Sequence, residues 1–70
     1  MERKKQVRET ARQIIENGDR PSAALLAQKL EWPLHDIHRC LNALEKDGEV
    51  STYTEELMKD KKMRMVGLQR

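Results

Sequence analysis

The apolar positions of this chain recur with helical spacing over its first two thirds and give way to β-branched and aromatic residues in its last third. The clearest stripe is Leu34, Ile37, Leu41 and Leu44, whose three-four-three spacing places all four on one side of a helix. The opposite side of that helix gathers His35, Arg39, Asn42 and Lys46. Upstream, Val7, Ala11, Ile14 and Ile15 share a face over residues 2–17, with Lys5, Arg8 and Arg12 opposite. Asn17-Gly18 is a helix stop, because glycine takes the left-handed conformation at no steric cost. After the connector Asp19-Arg20-Pro21, Ser22 is a good N-cap for a helix over about 22–30. Ala23, Leu26, Ala27 and Leu30 form its core side; Leu25, on the other side, is expected to be partly exposed or to touch the C-terminal segment.

Glu31-Trp32 makes the turn into the next helix, about 33–47, with Pro33 suited to the first helical position and Gly48 to the stop. Trp32, in a chain without Phe, is expected to cap the small core. Beyond Gly48 the chemistry changes. Val50–Thr54 is β-branched and aromatic, Met63–Leu68 is a second strand candidate, and residues 49–68 together predict a hairpin. The polar segment 55–62 lacks the Asn-Gly of a tight turn and is expected to form a long, mobile loop at the hairpin tip.

Composition narrows the class. Seventy residues allow one small domain, 1–70, of α+β class and mainly α, whose core provides only a few kcal/mol of net stability. Cys40 is the only cysteine, so no internal disulfide forms, which fits a reducing cytoplasm. No apolar run reaches the roughly 18 residues of a membrane span. The net charge of +2 is small, but it is segregated. Arg3, Lys4, Lys5, Arg8 and Arg12 face one acid, Glu9; Lys59, Lys61, Lys62 and Arg64 face one, Asp60; between them Glu45, Asp47, Glu49, Glu55 and Glu56 face only Lys46. Such segregation can give one positive and one negative surface.

Three helices followed by a hairpin, with Leu26-Ala27-Gln28-Lys29-Leu30 before the turn and Leu41-x-x-Leu44-Glu45-Lys46-Asp47-Gly48-Glu49-Val50 after it, resemble the winged helix-turn-helix family over about residues 6–68. In length and layout the chain is similar to small stand-alone bacterial transcription regulators of the fimbrial-operon type. The connector is a minimal edge strand in such folds. Compared with the Z-DNA-binding branch, Asn42 stands where the recognition Tyr belongs, and the Pro-rich wing with its Trp is missing.

The resemblance implies sequence-specific binding of double-stranded DNA and regulation of transcription in the cytoplasm. The third helix then enters the major groove. Arg39 presents its guanidinium to guanine O6 and N7, Asn42 its amide to adenine N6 and N7, and His35 a donor to a base edge or phosphate. Backbone contacts fall to Ser22, Lys46, Lys59, Lys61, Lys62 and Arg64. Enzymatic chemistry has no matching residue set, and no cofactor, metal, membrane or small-molecule substrate is expected. His35, His38 and Cys40 are close in sequence, but a helix turns Cys40 about 140° away from His35. The competing expectation is a protein-binding module or homodimer that uses the acidic stretch 45–56, or the apolar Leu25, Leu57 and Met58.

Overall fold

The computed structural model describes residues 3–68 and contains α1 (Arg3–Glu16), α2 (Ala23–Leu30), α3 (Leu34–Lys46), β1 (Val50–Met58) and β2 (Lys61–Leu68). It is an α+β domain, three helices followed by an antiparallel two-stranded hairpin. Val7, Ala11 and Ile14 of α1 are buried, whereas Ile15, about 100° further round than Ile14, is 40% exposed. Gly18 (φ 88°) ends the helix: its N–H donates to Ile15 O at 2.9 Å and that of Asp19 to Ile14 O at 3.0 Å. These paired bonds satisfy the last free carbonyls of the helix.

Ser22 caps α2, its hydroxyl accepting the Leu25 N–H at 3.1 Å. At the other end Glu31 adopts φ 58°, and the Trp32 N–H returns to Ala27 O at 3.1 Å. Glu31 therefore bears the left-handed conformation that reverses the chain toward α3, which costs an L-residue about 1–2 kcal/mol. Pro33 lies just outside α3, not at its first helical position: with ψ 144° it is extended, and its carbonyl accepts the Asp36 and Ile37 N–H groups at 3.0 and 3.3 Å. Gly48 (φ 76°) closes α3 as Gly18 closes α1, with the Glu49 N–H on Leu44 O at 2.9 Å.

One core joins these elements. Leu26, Ile37, Leu41, Leu44, Val7 and Val50 are fully buried, and Leu25, Leu30, Trp32 and Leu68 pack on its edge. Each buried aliphatic side chain contributes about 1.5–3 kcal/mol, the scale of the protein's whole net stability divided by a few. Leu34 departs from the expected stripe and is 47% exposed, because it opens α3 one turn before the helix reaches the core.

The hairpin corrects the expectation of a long loop. β1 runs to Met58 and β2 starts at Lys61, leaving a turn of Lys59 and Asp60. The register pairs Val50 with Leu68, Thr52 with Val66, Thr54 with Arg64 and Glu56 with Lys62, then shifts so that Met58 meets Lys61. Leu57 is the extra residue of this bulge, which supplies twist that an Asn-Gly turn would otherwise provide. β2 also meets the connector: Ser22 bridges to Met65, and the Val66 N–H donates to Pro21 O at 2.9 Å. The end of the connector thus touches β2 through one isolated bridge, short of a third strand. Among the described residues no helix is long and apolar enough to cross a membrane.

Candidate functional site

Helix α3 presents three polar rows to its surroundings, each following from the i, i+4, i+7 spacing of a helix. The outward row holds His35, Arg39, Asn42 and Lys46, all exposed. Beside it, His38, Asn42 and Glu45 face the hairpin. On the other flank, Asp36 and Asp47 face α1. The core stripe fixes all three rows, since Ile37, Leu41 and Leu44 are each buried almost completely.

On the hairpin flank one side chain organises the contact. Arg64 of β2 donates through Nη1 to His38 Nδ1 at 3.0 Å and through Nη2 to Asn42 Oδ1 at 2.9 Å. Glu45 Oε1 lies 3.5 Å from the same Nη2, and Glu45 Oε2 accepts the Thr52 hydroxyl at 3.0 Å. Arg64 shares the strand face of Val66 and Leu68, so the alternation of β2 turns it inward to α3. Its side chain is 22% exposed and already has three acceptors, an arrangement unlike the free backbone contact expected from the sequence. Asn42, expected to offer a free amide to adenine, likewise has its carbonyl oxygen engaged.

Ser22 is a second correction. It is 3% exposed and its hydroxyl caps α2, so the side chain is withdrawn from any ligand. The α3 stripe does stay open. His35 is 74% exposed and leans on Asp36, with Nε2 3.2 Å from Oδ1. Arg39 and Lys46, together with Lys59, Lys61 and Lys62 of the hairpin, enter no ion pair among the described residues. Lys62 and Arg64 line an open groove of about 310 Å³ with Leu34 and His38 of α3, Ala23 and Ala24 of α2, and Thr54 and Met63 of the hairpin. Of the free lysines Lys62 borders this groove, while the outward row of α3 lies outside its lining.

The N-terminal cations have the opposite environment. Arg3 pairs with Asp36 at 3.5 Å, Lys4 with Asp47 at 2.7 Å and Arg8 with Glu49 at 3.0 Å, the last a contact without hydrogen-bond alignment. Arg12 bridges Glu9 and Glu16 at 2.7 and 3.1 Å along α1. Its hydrogen bond and charge hold the Glu9 carboxyl below the ordinary carboxylate value. Arg3 also lies 5.4 Å above the Trp32 ring, which half covers the core as expected of a capping residue.

The acidic stretch 45–56 is largely consumed by the same pairing. Glu45 meets Arg64, Asp47 meets Lys4, Glu49 meets Arg8, and Glu55 meets Arg20 at 2.6 Å. Arg20 also donates to the Tyr53 hydroxyl at 3.3 Å, and both contacts favour its charged form. Such exposed pairs contribute about 0–1 kcal/mol each, yet they remove the open acidic surface that the sequence displayed. The exposed apolar residues Leu57 (56%) and Met58 (65%) lie at the hairpin tip, apart from half-buried Leu25. Cys40 faces the core at 8% exposure, and burial pushes its thiol up. No group of three or more His, Cys, Asp or Glu residues is placed to hold a metal among the described residues.

The sequence reading missed His38, Glu45 and Thr52 as members of the α3–hairpin contact. One signal was present: Arg64 has the same strand parity as Val66 and Leu68. The chain matches no protein-family model, no curated protein and no solved structure.

Proposed function

We propose that the chain is a winged helix-turn-helix domain that binds duplex DNA and regulates transcription, with α3 in the major groove and the hairpin as the wing. One observation carries this reading. Among the described residues, the cations that enter no ion pair are Lys5 and Lys29 on α1 and α2 and a larger group of Arg39 and Lys46 on the outward row of α3 with Lys59, Lys61 and Lys62 on the hairpin. A helix is the element that fits a major groove, and a cationic strand pair beside it reaches the flanking phosphates. Arg39 reads guanine O6 and N7; His35 donates to a base edge or phosphate; Lys46, Lys59, Lys61 and Lys62 neutralise phosphates.

The test is fluorescence anisotropy with a labelled random-sequence duplex between 50 and 200 mM salt. Neutralising four to five phosphates gives a log–log slope of roughly −3.5 to −4.5. No binding at the lowest salt, or binding indifferent to salt, contradicts the reading.

A second reading, a protein-interaction module, draws on the exposure of Leu57 and Met58 at the hairpin tip. The pairing of Glu45, Asp47, Glu49 and Glu55 within the chain weakens its acidic-surface version. Under this reading, amide shifts on adding a partner fall at the hairpin tip and leave His35 and Arg39 unmoved.

A further inference from the structure

Arg64 constrains the chemistry of its neighbours through what a guanidinium cannot do. It carries five N–H donors, no acceptor, and does not lose its proton in proteins. A nitrogen or oxygen at hydrogen-bond distance from it must therefore accept. His38 Nδ1, 3.0 Å from Arg64 Nη1, is then the unprotonated nitrogen of the ring, which leaves the proton on Nε2. Asn42 Oδ1, 2.9 Å from Nη2, is held toward the hairpin, which leaves the Nδ2 amine on the solvent side. Glu45 lies against the same guanidinium and balances its charge.

We infer that Arg64 is a specificity-determining positioning residue: it presets His38 and Asn42 as hydrogen-bond donors, so that the exposed face of α3 seeks acceptors. This rests on the DNA-binding reading and sharpens it. Arg39 and Lys46, on the same face, are also donor-only side chains. An adenine edge presents one acceptor and one donor in the major groove and needs an amide that offers both its atoms. A guanine edge presents two acceptors, N7 and O6. Oδ1 keeps a second lone pair, but Arg64 holds it toward the hairpin, so Asn42 leads with Nδ2–H and meets guanine better than adenine. The pair expected from the sequence, Asn42 with adenine, is replaced by Asn42 with guanine.

The inference has a spectroscopic arm and a binding arm. In the free protein at pH 8, ¹⁵N-correlated NMR of the His38 ring shows an unprotonated Nδ1 and a protonated Nε2; a proton on Nδ1 overturns the inference whatever the protein binds. Selection from randomised duplexes then gives guanine over adenine by about tenfold at the position where Asn42→Ala abolishes the preference. Arg64→Ala lowers that preference to about twofold and leaves the salt slope within a few tenths of wild type, because the guanidinium contacts no phosphate. A slope that falls by about 0.9 with the base preference intact makes Arg64 an ordinary phosphate contact and overturns the inference.

Arg64→Lys guards against loss of the hairpin contact. It keeps the charge, but a single ammonium cannot hold both acceptors in the same fixed geometry, and the preference drops here too. Adenine accepted as well as guanine by the wild-type protein overturns the inference and leaves DNA binding standing. Absence of binding to every duplex overturns the DNA reading and the inference with it.

Discussion

The basic run at the start of α1 and the basic run of the hairpin look alike in sequence, and the fold treats most of their members in opposite ways. The exceptions are Lys5 of α1, which enters no ion pair among the described residues, and Arg64 of the hairpin, which pairs with Glu45. Arg3, Lys4, Arg8 and Arg12 each meet a carboxylate, three of them on α3 or just beyond it. Lys59, Lys61 and Lys62 meet none among the described residues. The difference follows from position. Helix α1 packs along the flank of α3 that carries Asp36 and Asp47, so Arg3, Lys4 and Arg8 end beside acids on or just beyond α3. Lys59, Lys61 and Lys62 lie at the hairpin tip, where Glu56, opposite Lys62 in the register, and Asp60 form no ion pair with them among the described residues. A cluster of positive charge is thus available to a ligand only where the fold has not already neutralised it, and a count along the chain cannot tell the two cases apart.

The comparison can be broken most directly at the hairpin. Replacing Lys59, Lys61 and Lys62 together by Ala removes three phosphate contacts and takes the salt slope from roughly −3.5 to −4.5 down to about −1 to −2, with weaker binding to every sequence. Anisotropy across the same salt range measures it, and an unchanged slope shows that the free lysines are not the contact surface. Arg39→Ala comes next, with a loss of about 1–3 kcal/mol on the preferred duplex and relaxed choice at one base pair. Equal losses on preferred and random duplexes remove its base-reading role.

On the α1 side the effects are small and fall on stability. Lys4→Ala breaks the 2.7 Å contact with Asp47, and thermal or urea unfolding should show a loss below about 1 kcal/mol with DNA affinity unchanged. A drop in affinity larger than the drop in stability would place α1 in the interface. The smallest effect is a matter of pH. Arg12 depresses the Glu9 carboxyl below its ordinary value of 4.5 in the folded chain. Its stabilising contribution is therefore present above the unfolded value and disappears as pH falls through the folded one. NMR titration of the Glu9 side chain should find its midpoint below 4.5, and Arg12→Ala should move it upward.

Much of the fold was legible because its signals are local. Gly18 and Gly48 mark helix ends through their own backbone freedom, Ser22 caps through a bond three residues on, and the α3 stripe is a matter of period. The hairpin length was not legible, because the turn at Lys59-Asp60 depends on a bulge at Leu57 and not on a turn residue. Leu34 was misplaced because periodicity states which side of a helix is apolar, not where its neighbours end. At the site, the outward row of Arg39 and Lys46 follows from the stripe opposite. The engagement of Asn42 by Arg64 does not: it joins residues 22 positions apart and exists only once β2 lies beside α3. Ser22 shows one residue type serving two expectations of which the cap consumed the other.

The measurement that tests the central claim most directly is an amide NMR titration with a random-sequence duplex at low and moderate salt. The account predicts shifts at His35, Arg39, Asn42, Lys46 and the Lys59–Lys62 turn, fading as salt rises, with Arg3, Lys4, Arg8 and Arg12 silent. Shifts centred on the α1 cations, or none at low salt, would contradict it.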